Sequence, residues 1–373
     1  MSAAQPPRVW VLLGYGFGGN AQLLRLARAL DWPFETKHIR YNPLNYLPNP
    51  LLGASAVTVK QRRSDPLQPP WPDLVIAASR RAAPLALWIK QQSGGRTQLV
   101  HLLHAQAPLD RFDLVVTTPQ YGLPQRPNVL HNLLPLNTPD PERLRQAGEY
   151  WRPRLTGLPR PWIAVLTGGN CSSYRFSAAV ADRLAEHAGR KARETGGSLL
   201  ISTSPRTPQD AARTLARSIQ VPARIHIWYD SRQTNDENPY LGFLALADRF
   251  IVTADSASML AEACASGRPV EVFDWPTRGS RLAALGAPLK RLPVVQRLRM
   301  QCIERGLVKP RRDFHAFHRA LAAHGLLGDS DGASRPQPPD DLAATVGRIR
   351  DLMGEEPLQA DGEDRQKFSM SGA

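Results

Sequence analysis

Short apolar runs alternate with amphipathic segments along most of the chain, the pattern of parallel strands linked by helices. VWVLLG (9–14) reads as a buried strand, and AQLLRLARAL (21–30) after it as a helix with Leu23, Leu26, Ala27 and Leu30 on one stripe. DLVIAA (73–78), QLVHLL (98–103) and DLVVTT (113–118) repeat the strand signal, with the helix APLALWIKQQ between the first two. Between Leu133 and Pro161 no period is sustained and six prolines intervene, which predicts an interdomain connection. The cycle then restarts: WIAVLTGG (162–169), SLLIST (198–203), ARIHIWY (223–229), RFIVTA (249–254) and PVEVF (269–273) are five more strands, separated by helices such as 177–196. The expected class is α/β, with two Rossmann-like, doubly wound domains at 1–135 and 161–280 and a connection at 136–160. A basic helical segment (281–328) and a tail (329–373) follow. The tail lacks the apolar content to order itself, except at DDLAATVGRIRDLM, where Leu342, Val346, Ile349 and Met353 recur at helical spacing.

A chain of 373 residues supports two cores, because single cores stop growing at roughly 250 to 300 residues. Forty-seven Lys and Arg against thirty-three Asp and Glu leave a formal charge of +14, which favours acidic partners such as phosphates, nucleotides or anionic membrane surfaces. The excess is densest between Arg278 and Arg319, where eleven Lys or Arg face only Glu304 and Asp313. That block reads either as a solvated helical face or as a surface that meets phosphates or an anionic bilayer. It carries no nucleic-acid-binding motif and no aromatic ladder, so nucleic acid is not an expected partner. Cys171, Cys264 and Cys302 are too dispersed for a disulfide framework or a zinc site. With no signal-peptide pattern and no apolar window of about 18 residues, the expectation is a cytoplasmic protein, in peripheral contact with the inner membrane at most.

Candidate chemistry gathers where strands meet helices. GYGFGG places Gly14, Gly16 and Gly19 in a G-x-G-x-x-G, and Gly18 adds to the close backbone approach that such a turn allows. An NADP-dependent reductase or epimerase is one reading of that turn. It is disfavoured because FETKHIRY ends in His38, Arg40 and Tyr41, without a carboxylate for a ribose 2′-hydroxyl; Arg40 serves at most a 2′-phosphate. Ser79, Arg80 and Arg81 follow another first-half strand, and Asn20 closes the glycine turn. The second half is richer. Thr167, Gly168, Gly169 and Asn170 follow its first strand, Ser204 and Arg206 its second, and Asp255, Ser256 and Ser258 its fourth. All would lie at the carboxyl edge of one parallel sheet, where doubly wound folds bind ligands. Asp255, Ser258 and Glu262 are spaced to share a helix face, and Gly267 stops the helix. Two readings of that helix start coexist: Ser256 caps it, or its free N–H groups await an anion. Asp255 is expected to cap or to point away, since its charge would repel a phosphate.

WPDLVIAASRRAAPLAL, GGRTQLVHLL, FDLVVTTP, VLTGGN, LISTSPRTP and NPYLGFLALADRFIVTADSASMLAEACASGRPV resemble the family of mitochondrial fission ELM proteins, over about residues 8 to 280. Tandem α/β domains with a late D-S-x-S…E-A…G-R-P-V segment also resemble the GT-B glycosyltransferases. The resemblance implies two domains facing a cleft, with the last helix crossing back to the first. It implies an acceptor domain at Gly16, Gly18, Gly19, Asn20, Ser79, Arg80 and Arg81. It implies a nucleotide-sugar domain at Thr167, Gly168, Gly169, Asn170, Ser204, Arg206, Ser256, Ser258 and Glu262, with diphosphate on the Ser256–Ser258 turn and ribose on Glu262. The expected partners are a nucleoside diphosphate sugar donor and a glycolipid or saccharide acceptor, with no other cofactor and no metal. In the enzyme that glycosylates lipid-linked peptidoglycan precursor a His follows the first glycines. Here Asn20 stands there, and His104, Asp110 and His38 are the base candidates by location. A non-catalytic, membrane-associated scaffold of the mitochondrial fission ELM type is the alternative to the transferase.

Overall fold

The computed structural model describes residues 5–14, 17–230, 238–277, 292–328 and 336–354. The first half holds strands β1 (Val9–Leu13), β2 (Phe34–His38), β3 (Leu74–Ala78), β4 (Gln98–Leu102), β5 (Leu114–Thr117) and β6 (Val129–His131). They pair all-parallel in the order β2-β1-β3-β4-β5-β6. Helices α1 (Phe17–Ala29), α2 (Asn49–Leu52) and α3 (Ser79–Gln92) link them. Every residue of β1 and β3 is buried, because helices cover both faces and each strand sends alternate side chains into two cores. Trp10 and Leu12 join Val75, Leu85 and Phe112 on one face; Val9 and Val11 join Leu23, Leu26 and Ile76 on the other.

The connection contains α4 (Pro141–Trp151), where the sequence pattern predicts none. Its prolines conceal it from a periodicity reading, yet Pro141 occupies the first helical turn and the Asp140 carboxylate accepts from the amides of Glu142 and Arg143. The second half holds β7 (Trp162–Leu166), β8 (Ser198–Ser202), β9 (Ala223–His226), β10 (Arg249–Thr253) and β11 (Val270–Phe273), all parallel, in the order β11-β10-β7-β8-β9. Helices α5 (Ala178–Thr195), α6 (Gln209–Ser218), α7 (Tyr240–Leu246) and α8 (Ala257–Cys264) complete it. In the first sheet the strand order reverses between β1 and β3, and in the second between β7 and β10. Ligands of doubly wound sheets bind outside the carboxyl ends at such reversals.

The remaining helices tie the halves together. α9 (Pro293–Glu304) sends Ile303 into the first core, and the following Gly306 has φ +69° with the Ala107 backbone where a Cβ would stand. Only glycine fits there. α10 (Phe314–Ala323) packs Phe314, Phe317 and Leu321 into the second half. α11 (Asp341–Met353) crosses back to the first, as expected: Ile349 is buried beside α1, Asn132 Nδ2 donates to Thr345 Oγ1 at 2.9 Å, and Arg350 donates to the Leu30 carbonyl at 3.2 Å. The described part of the basic block therefore bridges the halves instead of forming one outer face; its basic residues from 278 to 291, and the tail at 329–335 and 355–373, lie outside the described residues.

Candidate functional site

The two reversals face each other. Gly18, at the start of α1, lies so near the second half that a Cβ there would stand 4.0 Å from Ser258 Oγ on α8. Gly19 packs on Ala78 at the end of β3, so both glycines serve close approach; Gly16 lies outside the described residues. Asn20 staples the turn, accepting from the Gly14 amide at 3.1 Å and donating to the Gly14 carbonyl at 2.8 Å. Ser79 opens α3 with φ +68°, a left-handed backbone uncommon for a residue with a Cβ, and its carbonyl lies 3.1 Å from His101 Nε2. Arg80 is spent on the carbonyls of Asn45 and Leu47, at 2.5 and 2.8 Å. Arg81 lies over the Tyr46 ring, 5.8 Å from its centroid.

In the second half the network is tighter, and it redistributes the expected roles. The amides of Gly168, Gly169 and Asn170 are all engaged: with Thr253 Oγ1 at 2.7 Å, Asp255 Oδ2 at 2.8 Å and the Arg206 carbonyl at 2.9 Å. Ser204 donates to the Gly168 carbonyl, which Thr207 also supports. These residues shape the crevice and do not offer their amides to a ligand. Thr167 is different, since its buried Oγ1 has no hydrogen-bond partner among the described residues. Asp255 does not cap α8; its carboxylate turns to the Gly169 amide and Arg206. It is buried, takes the Gly169 amide, and forms an ion pair with Arg206 at 2.7 Å. Burial raises its carboxyl above the usual range, and Arg206 partly offsets this. Ser256 also departs from expectation, because no side chain caps α8. The N–H groups of Ala257, Ser258 and Met259 belong to the first turn and have no intrahelical acceptor, so the helix opens with free donors at its positive end.

Glu262 sits one turn beyond Ser258 but turns away from Asp255. It accepts from Tyr240 Oη and, at 2.6 Å, from Asn137 Nδ2, which also reaches the Ser258 carbonyl at 3.3 Å. Burial pushes its carboxyl up to about 7, against the two hydrogen bonds. It borders a cleft of about 710 Å3 between α1 and the connection, lined also by Arg25, Arg28 and Arg143.

Of the base candidates, His104 is buried with Nδ1 accepting from the Gln106 amide at 3.1 Å; burial, then the charges of His101 and Lys309, lower it to about 3. A histidine so weakly basic is a poor proton acceptor near neutrality. His38 pairs with Asp65 at 3.0 Å on the edge strand β2, and Asp110 is exposed in a groove with Arg126 and Arg305. A group absent from the sequence reading stands closer to the crevice. Asp274, just past β11, accepts from Tyr174 Oη at 2.9 Å and lies 3.4 Å from His315 Nδ1. His318, one turn along α10, holds the Ala254 carbonyl at 3.1 Å through Nε2, beside Asp255. His315 lines a cavity of about 260 Å3 with Ser173, Tyr174, Arg299, Arg311 and Arg312. That cavity lies between the halves: the Asp313 amide donates to the Gln120 carbonyl at 2.8 Å, and Arg312 covers Tyr121. The H-x-x-H spacing was the only sequence signal, and its partner lies on a distant segment, just past β11.

The model of the family described as Mitochondrial fission ELM1 matches residues 18–322. The chain belongs to that family. It is 30% identical over 223 residues to the mitochondrial fission protein ELM1 of Arabidopsis thaliana, a match covering 54% of this chain and 51% of that protein. The chain thus spans about half the length of this curated plant relative. It is 26% identical over 306 residues to an uncharacterized protein, RP120, of Rickettsia prowazekii, covering 73% of this chain and 84% of the other. Among solved structures, the S. aureus MnaA–UDP complex overlaps 89% of this ELM1-family chain and 100% of its own at 11% identity and a TM-score of 0.43. Overlap at that level adds nothing to what the sheet order already establishes.

Proposed function

We propose that this ELM1-family chain transfers a sugar from a nucleoside diphosphate donor held at the carboxyl edge of the second sheet. The observation that carries this is the uncapped start of α8 at the β7/β10 reversal. The amides of Ala257 to Met259 open α8 beside Ser256 and Ser258, and the half-exposed Arg206 is held next to this helix start by its 2.7 Å ion pair with Asp255. A diphosphate complements such a helix start. Arg206 would exchange part of its Asp255 pairing for the phosphate, and oriented amides would stabilise the leaving diphosphate as the glycosidic bond breaks. Thr167 and Glu262 then meet the sugar and the nucleoside. The Gly18–Asn20 turn and Ser79–Arg81 carry the acceptor, for which an envelope glycolipid or polysaccharide precursor is our reading. Contact with the inner membrane face is supported by α9, where Val294 and Leu298 are exposed beside Arg297.

The plant relative is named for mitochondrial fission, and a second reading is a membrane-associated adaptor that keeps the nucleotide crevice without turnover. A thermal-shift panel of UDP, GDP, ADP, TDP and CMP derivatives separates the possibilities. The transfer reading expects at least one to stabilise the protein in a saturable way and its sugar to be released or transferred. Stabilisation without sugar release favours the adaptor, and stabilisation by none of them removes both.

A further inference from the structure

We propose that Asp274, His315 and His318 form a site for one divalent cation of the zinc class, beside the crevice and outside any role the sequence reading assigned. One nitrogen from each imidazole and one carboxylate oxygen lie within 4.8 Å of one another. A cation held about 2.0–2.2 Å from each ligand draws such atoms together through small side-chain rotations. Two histidines and a carboxylate select transition metals over magnesium or calcium, and they leave coordination positions open.

Two features distinguish this cluster from a casual ion pair. First, its ligands arrive from separate rigid elements: Asp274 from the end of β11, and His315 and His318 from one face of α10 at i, i+3 spacing. Second, the atoms not needed for coordination are already held. The Tyr174 hydroxyl donates to Asp274 Oδ1 at 2.9 Å, the Trp275 amide donates to the same oxygen at 2.8 Å, and His318 Nε2 meets the Ala254 carbonyl at 3.1 Å. With its Nε2–H donated to that carbonyl, His318 keeps the Nδ1 lone pair for a metal. This is the outer-shell bonding that fixes tautomer and orientation around metal ligands. The 3.4 Å pairing of His315 with Asp274 accounts for one ring alone, and the bond from His318 Nε2 to the Ala254 carbonyl fixes that second ring within reach of the same carboxylate. Asp274 and His315 are exposed enough for a hydrated ion to enter. Arg299, Arg311 and Arg312 line the same cavity as His315, so the open coordination positions face surroundings suited to an anionic ligand on the metal.

The test uses the full-length chain, stripped with a chelator, dialysed and titrated with Co2+ under visible absorption, with Zn2+ calorimetry in parallel. The expected result is one saturable equivalent, with d–d bands shifted from those of aqueous cobalt. Asp274→Ala and His318→Ala should each weaken it at least tenfold, and His38→Ala should leave it unchanged. His315→Asn, chosen for its small change in volume, supplies a third ligand variant, and circular dichroism of every variant confirms folding. No saturable binding by the folded wild type, or binding that the folded ligand variants leave intact, overturns the proposal. Neither result bears on the nucleotide reading, which is titrated separately.

Discussion

At position 262 a carboxyl with two hydrogen-bond donors remains hard to ionise. Tyr240 and Asn137 satisfy its oxygens, yet burial outweighs them and holds it at about 7, against an ordinary 4.5. The fold therefore prefers the protonated form. Its contribution to stability is complete below about pH 4.5 and is lost as pH rises through about 7, on the order of 2–3 kcal/mol. Glu262→Gln keeps a hydrogen-bonding side chain without the titration. Denaturant unfolding at pH 5 and pH 8 should show the wild type losing about 2 kcal/mol relative to the variant; parallel pH dependences would contradict the assignment. Residue by residue, the site was legible where backbone chemistry announces it: glycines at a close turn, and Ser and Asp at a helix start. The bonding partners were not. Periodicity shows that Asp255 stands near a helix start, but only tertiary structure shows that Arg206 and the Gly169 amide engage it first.

Among elements, the eleven strands of the described residues divide by burial. β1, β3, β7 and β8 are buried along their whole length and appear in the sequence as unbroken apolar runs, so β1, β3 and β8 match their expected bounds to within a residue, while β7, expected over 162–169, ends at Leu166 because Thr167 to Gly169 already belong to the turn. β6 has three residues and one buried position, too little pattern to recognise. α10 falls within the segment expected to be helical, 281–328, but its docking against β11, which assembles Asp274 with His315 and His318, depends on packing between distant segments. α11 was recognised from its apolar stripe, and the structure supplies the reason for it. Ile349 is fully buried, Leu342, Val346 and Met353 pack on the same core, and the Leu134 amide donates to Asp341 at 2.6 Å. Ending the chain at Pro339 strips that cover and leaves Asn132 without its hydroxyl partner. At about 1.5–3 kcal/mol per fully buried large apolar side chain, the loss should be on the order of 5 kcal/mol. Thermal unfolding checks this: a truncated chain that melts with the full-length protein would contradict the packing role.

For the whole molecule, two parallel sheets place their reversals on opposite walls of one cleft, with the Lys309–His318 segment bridging them. Part of the +14 charge is thereby gathered at the interface, where Arg299, Arg311 and Arg312 share a cavity. The two parallel sheets were visible in the restart of the strand–helix cycle after the proline-rich connection. The bridging of the cleft by the basic block was not, because charge density alone does not distinguish a solvated face from a cavity wall. On the proposed reading a nucleotide binds the second half and not the first glycine turn. Hydrogen–deuterium exchange with and without saturating UDP, extended to the other nucleoside diphosphates, tests it most directly. Exchange should slow at Ala254–Leu260, with Thr203–Thr207 following, and change little at Val9–Leu13 and the turn after it. Protection centred on that first turn, with residues 254–260 unchanged, would contradict it.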